Sequence, residues 1–285
     1  MIFHFKDTKE EIAEIVKLGK EQPDIGVTTA SLNRLPVFQP TLKPMFQERS
    51  FENAYGRITV IGRLGQSHKN LLETILYKRK VYKSYKDAKG NRHFEVLYDE
   101  YEVRRHLSKV TTYSQERYQE LIEDMKQAYI EIETKELTVR GKFIADKTFS
   151  SKYSKLTKSN LPGLKDQEIP YAVLVLGDVL NTLISKELTF PYDPKPITQL
   201  SSGVSQAVFR LIKTHKNHPK AGYHLKPLIE GLTGNVEGQK WYNIKTQLKR
   251  DADKLKTIFL IAIDFEKERL FKMECKANGK IENLS

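Results

Sequence analysis

Between Glu237 and Lys256 the chain spaces Trp241, Ile244, Leu248, Ala252 and Leu255 three or four residues apart. The positions between them hold Lys240, Asn243, Lys245, Thr246, Lys249 and Arg250. An α-helix with one apolar stripe satisfies that spacing; a strand, with its period of two, does not. The stripe predicts a core contact, and the opposite face predicts a polar, cationic surface. The segment in front of it, GLTGNVEG, carries Gly231, Gly234 and Gly238. It matches neither G-x-G-x-x-G nor G-x-x-x-x-G-K-[ST], and a helical pattern precedes it rather than a strand. The run GRLGQSHKN, from Gly62 to Asn70, fails the second pattern too. These glycines therefore read as a turn and not as a phosphate cradle, and no cofactor is expected. Gly231 is expected in the left-handed conformation that ends a helix, with Gly234 and Asn235 at positive φ behind it.

Around this helix the elements follow a definite order. Gly203–Thr214 predicts a helix, with Val204, Ala207, Val208, Leu211 and Ile212 inward. His215–Ala221 is a polar break, Tyr223–Glu230 a short helix and Gly231–Asn235 a turn. After the long helix comes a hairpin, FLIAIDFEKERLFKMEC, with its tip at Glu266–Arg269. The first half of the chain shows the same order. A helix over 67–80 starts at Ser67, an N-cap candidate, and KSYKDAKGNRHFEVLY predicts two strands about an Ala-Lys-Gly-Asn turn. A helix from about Tyr98 to Leu107 follows. A second one, capped by Ser114, carries Tyr118, Leu121, Ile122, Met125, Tyr129 and Ile132 at helical spacing. ELTVRGKFIADKTF then alternates about a turn near Gly141. Helix, turn, helix and hairpin is the winged-helix order.

The expected fold is α+β, with two tandem winged-helix domains whose helices pack on small antiparallel hairpins. Residues 1–56 form an N-terminal helix over Asp7–Leu18 and an extended arm broken by prolines 23, 36, 40 and 44. Residues 57–165 form the first domain and 166–285 the second, with SSKYSKLTKSNLPGLKD ending the first and IPYAVLVLG a buried strand of the second.

Charge narrows the partner. Lys and Arg outnumber Asp and Glu by 48 to 36, a formal net charge of +12, which points to a polyanion. The excess comes in blocks. Residues 60–90, 137–165 and 195–256 are basic, and 94–136 is acidic. The segment FRLIKTHKNHPKAGYHLK has no acidic residue, so Lys213 and Lys216 are DNA-backbone candidates ahead of the long helix. On the long helix, lysine and arginine suit phosphates, while asparagine and arginine also suit base edges. The helix after Ser114 has the opposite character. Glu116, Glu120, Glu123 and Asp124 outnumber its cations, so it is expected to meet protein, not DNA. If the first domain touches DNA, helix 67–80 and the hairpins at 78–92 and 137–152 are its candidates.

Other chemistries find no support. Cys275 is the one cysteine, which excludes a disulfide framework and a cysteine zinc site and fits a reducing, cytoplasmic setting. No apolar run is long enough for a signal peptide or a membrane span. There is no His-x-His pair with which a rolling-circle nuclease would hold its metal. His215, His218 and His224 lie in a lysine-rich stretch without a carboxylate and make a poor cation site. No nucleophile signature appears, so the chain is not expected to be an enzyme.

Two winged-helix patterns joined by a basic linker, the second carrying GVSQAVFRLIKTHKNHPKAGYHLKPLIEGLTGNVEGQKWYNIKTQLKRDADKLKTIFLIAIDFE, resemble the replication initiator (Rep) proteins of iteron-containing plasmids. The resemblance covers roughly Arg57–Lys276 as an order of elements and is best over Gly203–Phe265. It implies a protein of the bacterial cytoplasm that binds tandem repeats in double-stranded DNA at a plasmid origin. Such a protein helps open an AT-rich segment, brings in the host initiator and replicative helicase, and exchanges between monomer and dimer, often through its first domain. Carried onto this chain, DNA contacts fall at Lys240, Asn243, Lys245, Lys249 and Arg250, with Arg269 at the hairpin tip near phosphate or minor groove. A winged-helix transcriptional regulator or a partition-type DNA-binding adaptor is the alternative on the same elements.

Overall fold

The computed structural model describes residues 26–86, 90, 92–107, 113–157, 167–275 and 281–283. The helix expected over Asp7–Leu18 lies outside them. The chain is α+β, and its strands are antiparallel throughout the named sheets.

A first core joins two four-stranded sheets. One has the order β2 (Gln47–Asn53), β3 (Gly56–Gly62), β6 (Tyr129–Glu133), β7 (Thr138–Lys142). The other has the order β4 (Arg79–Lys86), β5 (Arg92–Tyr98), β9 (Gln167–Leu176), β8 (Ile144–Thr157). Helices α2 (Gln66–Tyr77), α3 (Glu100–Leu107), α4 (Gln115–Gln127) and α5 (Asp178–Lys186) send Leu71, Ile75, Val103, Tyr118, Leu121, Met125, Val179 and Leu183 into it. A small pair, β1 (Thr28–Thr29) with β10 (Thr189–Phe190), and a short helix α1 (Ala30–Arg34) close one side.

The second core holds α6 (Gly203–Lys213), α7 (Leu225–Thr233) and α8 (Gly238–Phe259), preceded by a 3-10 turn at Lys195–Gln199. Its sheet has the order β11 (Tyr223–His224), β13 (Arg269–Cys275), β12 (Ile261–Asp264), with β14 (Ile281–Asn283) also on β13. Val208, Ile212, Leu225, Ile229, Leu248, Leu255 and Leu270 are buried together there.

Several expectations change. Ser114 does cap α4, accepting from the backbone N–H of Arg117. That helix stops at Gln127, however, and Tyr129 and Ile132 belong to β6. In YIEIE, Ile130 and Ile132 are buried while Tyr129 and Glu133 are exposed, the period of a half-buried strand. The turn of that hairpin is Thr134–Leu137, not Gly141, because β7 pairs with β6 while β8 crosses to β9 in the other sheet. Ser67 is not the cap of α2. Gly65 holds that place, its N–H donating to His68 Nδ1, and Ser67 Oγ donates to the Leu42 carbonyl. The divisions at 56 and 165 also shift against the cores. β2 pairs along its length with β3, and β9 and α5 pack in the first core, which reaches Tyr192.

The arm of residues 35–46 lies against both cores. Val37 and Phe38 are buried, Gln39 N–H donates to the Leu64 carbonyl, and the Arg49 guanidinium holds the carbonyls of Pro36 and Val37. A Cβ added at Gly203 would sit 2.5 Å from the Thr41 backbone, so only glycine lets α6 start against this arm.

The two cores meet where α2 crosses α6. Gln66, Lys69, Asn70 and Glu73 on α2 are buried, as are Gln206 and Arg210 on α6. Arg210 Nη2 lies 2.6 Å from Glu73 Oε2 and 2.6 Å from Asn70 Oδ1, and Nη1 lies 2.7 Å from Gln66 Oε1. Tyr192 donates to Glu73 Oε1 at 2.7 Å, and Asn70 Nδ2 donates to Gln206 Oε1 at 3.1 Å. The Lys69 ammonium holds the Leu32 carbonyl and Asn33 Oδ1, and burial pushes its pKa well down. The helix expected over 67–80 runs Gln66–Tyr77, and most of its polar residues are buried and not presented to a partner. Its polar residues join the two cores, and Lys78 and Lys80 beyond it pair with Glu102.

Candidate nucleic-acid interface

Helix α8 rests on the second core through Ile244, Leu248, Leu255 and Phe259, with Trp241 half-buried beside them. Its stripe has one polar member, Asp251, only 1 % exposed. The Asp251 carboxylate accepts from Ser201 N–H at 2.8 Å, Ser201 Oγ at 2.9 Å and Ser202 N–H at 3.0 Å. Burial opposes ionisation of this carboxyl, but the hydrogen bonds from the serines outweigh it and hold its pKa below the usual range. Because Ser202 is the N-cap of α6, Asp251 ties α8 to the start of the helix beneath it.

The turn ahead of α8 has Gly234 at positive φ as expected, whereas Gly231 does not end the helix before it and Asn235 is not at positive φ. Gly231 is inside α7, while Gly234 has φ +74° and donates its N–H to the Glu230 carbonyl, ending that helix. Lys240 then reaches back to the carbonyls of Thr233 (3.3 Å) and Asn235 (2.7 Å).

The solvent face carries Gln239, Lys240, Tyr242, Asn243, Thr246, Lys249, Arg250 and Asp253, all exposed. Asn243 Oδ1 accepts from Gln239 Nε2 at 2.9 Å, and Thr246 Oγ1 donates to the Tyr242 carbonyl at 3.0 Å. Lys249 Nζ lies 5.4 Å from the ring centre of Phe265. Arg250 makes no hydrogen bond or ion pair with any described residue, so its guanidinium is available to a ligand. Lys245 is less free. It pairs with Glu268 at 3.1 Å and lies over the Trp241 ring. Trp241 Nε1 donates to the same carboxylate, and Lys245 beside it holds the Glu268 carboxyl below its usual range. Glu268, with φ +48°, thus fastens the β12–β13 turn to the first turns of α8.

The remaining candidates do not join this cluster. Arg269 is the first residue of β13, opposite Asp264 and His224, and donates to the Gly222 carbonyl. The exposed cation of the turn is Lys267. Lys213 acts electrostatically on Lys272, whose ammonium donates to the Phe259 carbonyl at the C-terminal end of α8. That is about 28 Å along the helix from Lys240 at ~1.5 Å per residue. Lys216 is exposed in the loop after α6, beside His215, which accepts from the Tyr55 hydroxyl at the tip of β2–β3. His215, His218 and His224 do not converge. The first two bond Tyr55 and Tyr223, and among the described residues no three His, Cys, Asp or Glu side chains form a metal-binding group.

Sequence reasoning missed four residues here: Gln239, Tyr242, Asp251 and Glu268. Tyr242 carries a signal, since it is an aromatic residue one step off the apolar stripe and is 63 % exposed. Gln239 is visible as the i−4 partner of Asn243. Asp251 and Glu268 act through segments distant in sequence and give no local sign.

The acidic helix α4 presents Glu116, Glu120 and Glu123 to solvent around an open groove with Arg63 and Gln119. Asp124 is held by Arg63 and by the buried His68, each at 2.9 Å. Among the described residues no helix is long and apolar enough to cross a membrane. No family model, no curated protein and no solved structure matches the chain.

Proposed function

We propose that this chain is a sequence-specific DNA-binding protein with two tandem winged-helix units, acting as a replication initiator at the tandem repeats of a plasmid origin. The observation that carries the reading is α8. Its apolar side is anchored in the second core, its outer side is exposed, polar and cationic, and a short hairpin stands beside its first turns. A helix so placed can enter a major groove while the hairpin turn meets the backbone. The β12–β13 turn, with Lys267 outermost, is the wing of this reading. In the first core α2, the β4–β5 hairpin, α3, α4 and β6–β7 follow one another, which this reading takes as a winged-helix unit with one added hairpin, and its acidic α4 is taken as the surface for protein: a second copy, the host initiator or the helicase. Opening of the origin and an exchange between monomer and dimer belong to the same proposal, as does residence in the bacterial cytoplasm. The buried α2–α6 contact supports an initiator over a regulator with free half-site spacing, because it fixes the distance between the two units.

Two measurements test this. Lys249→Ala combined with Arg250→Ala is expected to reduce the slope of log K against log salt by ~2, one unit for each phosphate left without its cation. An unchanged slope removes α8 from the backbone. Protection of direct repeats of about two helical turns in DNA beside the gene is the expected footprint, and protection of inverted half-sites would favour a regulator. For α4, Glu120→Lys with Glu123→Lys is expected to change the oligomeric mass or the capture of replication proteins while leaving DNA affinity within about twofold. If neither mass nor capture changes, α4 is not the protein-binding face.

A further inference from the structure

The solvent face of α8 is not uniformly charged. Its middle is neutral, with Gln239, Tyr242, Asn243 and Thr246 on the first turns and Lys240, Lys249 and Arg250 on either side. Phosphates call for the cations; the neutral group is matched to something else. Gln239 Nε2 donates to Asn243 Oδ1 at 2.9 Å. Two amides joined in this way use one donor hydrogen and one acceptor lone pair between them. What remains is three N–H hydrogens and three carbonyl lone pairs, so each amide still offers an acceptor beside a donor. Exchanging O and N in both amides reverses the internal bond and leaves the same set of donors and acceptors.

Adenine is the purine that uses both kinds of group. Adenine shows the major groove an N7 acceptor beside an N6 donor, whereas guanine shows two acceptors and would leave an amide carbonyl facing another oxygen. Tyr242 adds an apolar surface. The residue is 63 % exposed one position before Asn243, and the apolar group that the groove offers beside an adenine step is the thymine methyl.

We propose that α8 reads an A/T-containing step, with Gln239 and Asn243 on an adenine and Tyr242 on a neighbouring thymine methyl. This rests on the reading of α8 as a groove-binding helix and adds what it reads. The test uses the full chain. It selects from a pool of random-sequence duplexes at physiological salt, and the selected sites are then remade with 7-deazaadenine in place of adenine or deoxyuridine in place of thymine. One adenine is expected to be fixed in the selected pool, and removing its N7 is expected to lower affinity about tenfold or more. Asn243→Ala is expected to erase the preference at that base and to lower affinity for the selected sites more than affinity for unselected DNA. Tyr242→Ala is expected to erase the difference between thymine and uracil.

A selected pool without a fixed adenine, or a preference that survives Asn243→Ala, overturns the assignment. If Lys249→Ala still weakens binding to every sequence, the groove reading stands and only the base assignment falls. If the full chain retains no duplex at all, both fall together.

Discussion

Arg210→Ala is expected to lower stability by about 3–5 kcal/mol, read as a fall in the urea midpoint. The guanidinium and the Glu73 carboxylate are each 1 % exposed, so neither has water as an alternative partner. Burial alone would lower the Arg210 pKa. The charge of Glu73 and the Tyr192 hydroxyl beside it reverse that and hold it above the ordinary value. Truncation leaves the buried Glu73 carboxyl without its counter-charge, and Gln66 Oε1 and Asn70 Oδ1 lose their donor. Much of the loss therefore comes from the stranded partners and not from the pair itself. Replacing both residues with apolar side chains, Glu73→Leu with Arg210→Met, is accordingly expected to recover the part owed to the stranded carboxyl, while Gln66, Asn70 and Tyr192 remain without these partners. A loss under about 1 kcal/mol in Arg210→Ala would mean that water reaches Glu73 and that the contact is not closed.

The same contact bears on cooperativity. The donors and acceptors of α2 and α6 match one another, and a slip of one turn would leave each of them unpaired. The two cores are therefore expected to unfold in one transition in the native chain and in two once Arg210 is replaced.

The legible parts of this fold are those whose partners are local. The stripe of α8, the inward face of α6 and the cap at Ser114 depend on residues a turn apart, and each shows in the sequence as spacing. The β4–β5 hairpin is legible for the same reason. What was not legible depends on distant partners. Tyr129 and Ile132 continue the helical spacing of α4, but β3 needs a neighbour, and YIEIE, whose alternation is equally regular, supplies it. Lys69 and Glu73, at i and i+4, look like a solvated pair. The packing of α6 over them makes them interior, and nothing within residues 67–80 announces that helix. The site divides in the same way. Lys249, Arg250 and Asn243 follow from helical position alone. That Lys245 is held by Glu268, and that Arg269 lies in the sheet and not at the tip, follows from the register of β12 with β13, which composition does not report.

Asp251→Asn tests the attachment of α8 itself and carries the second large effect, a loss of about 3 kcal/mol near neutral pH. The native carboxylate takes three hydrogen bonds from Ser201 and Ser202, two of them from backbone N–H groups at the start of α6. An amide in its place offers one acceptor oxygen and turns an NH₂ toward donors that need an acceptor, so at least one buried N–H goes unpaired. The pH dependence separates this from simple loss of packing. The Asp251 pKa is lowered on folding, so its contribution is complete above the unfolded value of about 3.9 and disappears as pH falls through the folded value. The gap between native protein and Asp251→Asn should therefore be constant from neutral pH down to about pH 5 and then close in acid, where the native side chain becomes a neutral acid as well. A gap that stays open at low pH would assign the loss to shape and not to charge. The variant also connects packing to function. With α8 no longer fastened at its middle, affinity for a selected duplex is expected to fall further than affinity for random DNA, because phosphate contacts tolerate a tilted helix and base contacts do not. Equal losses on both would show that the orientation of α8 is set elsewhere, by Glu268 and Trp241 at its first turns.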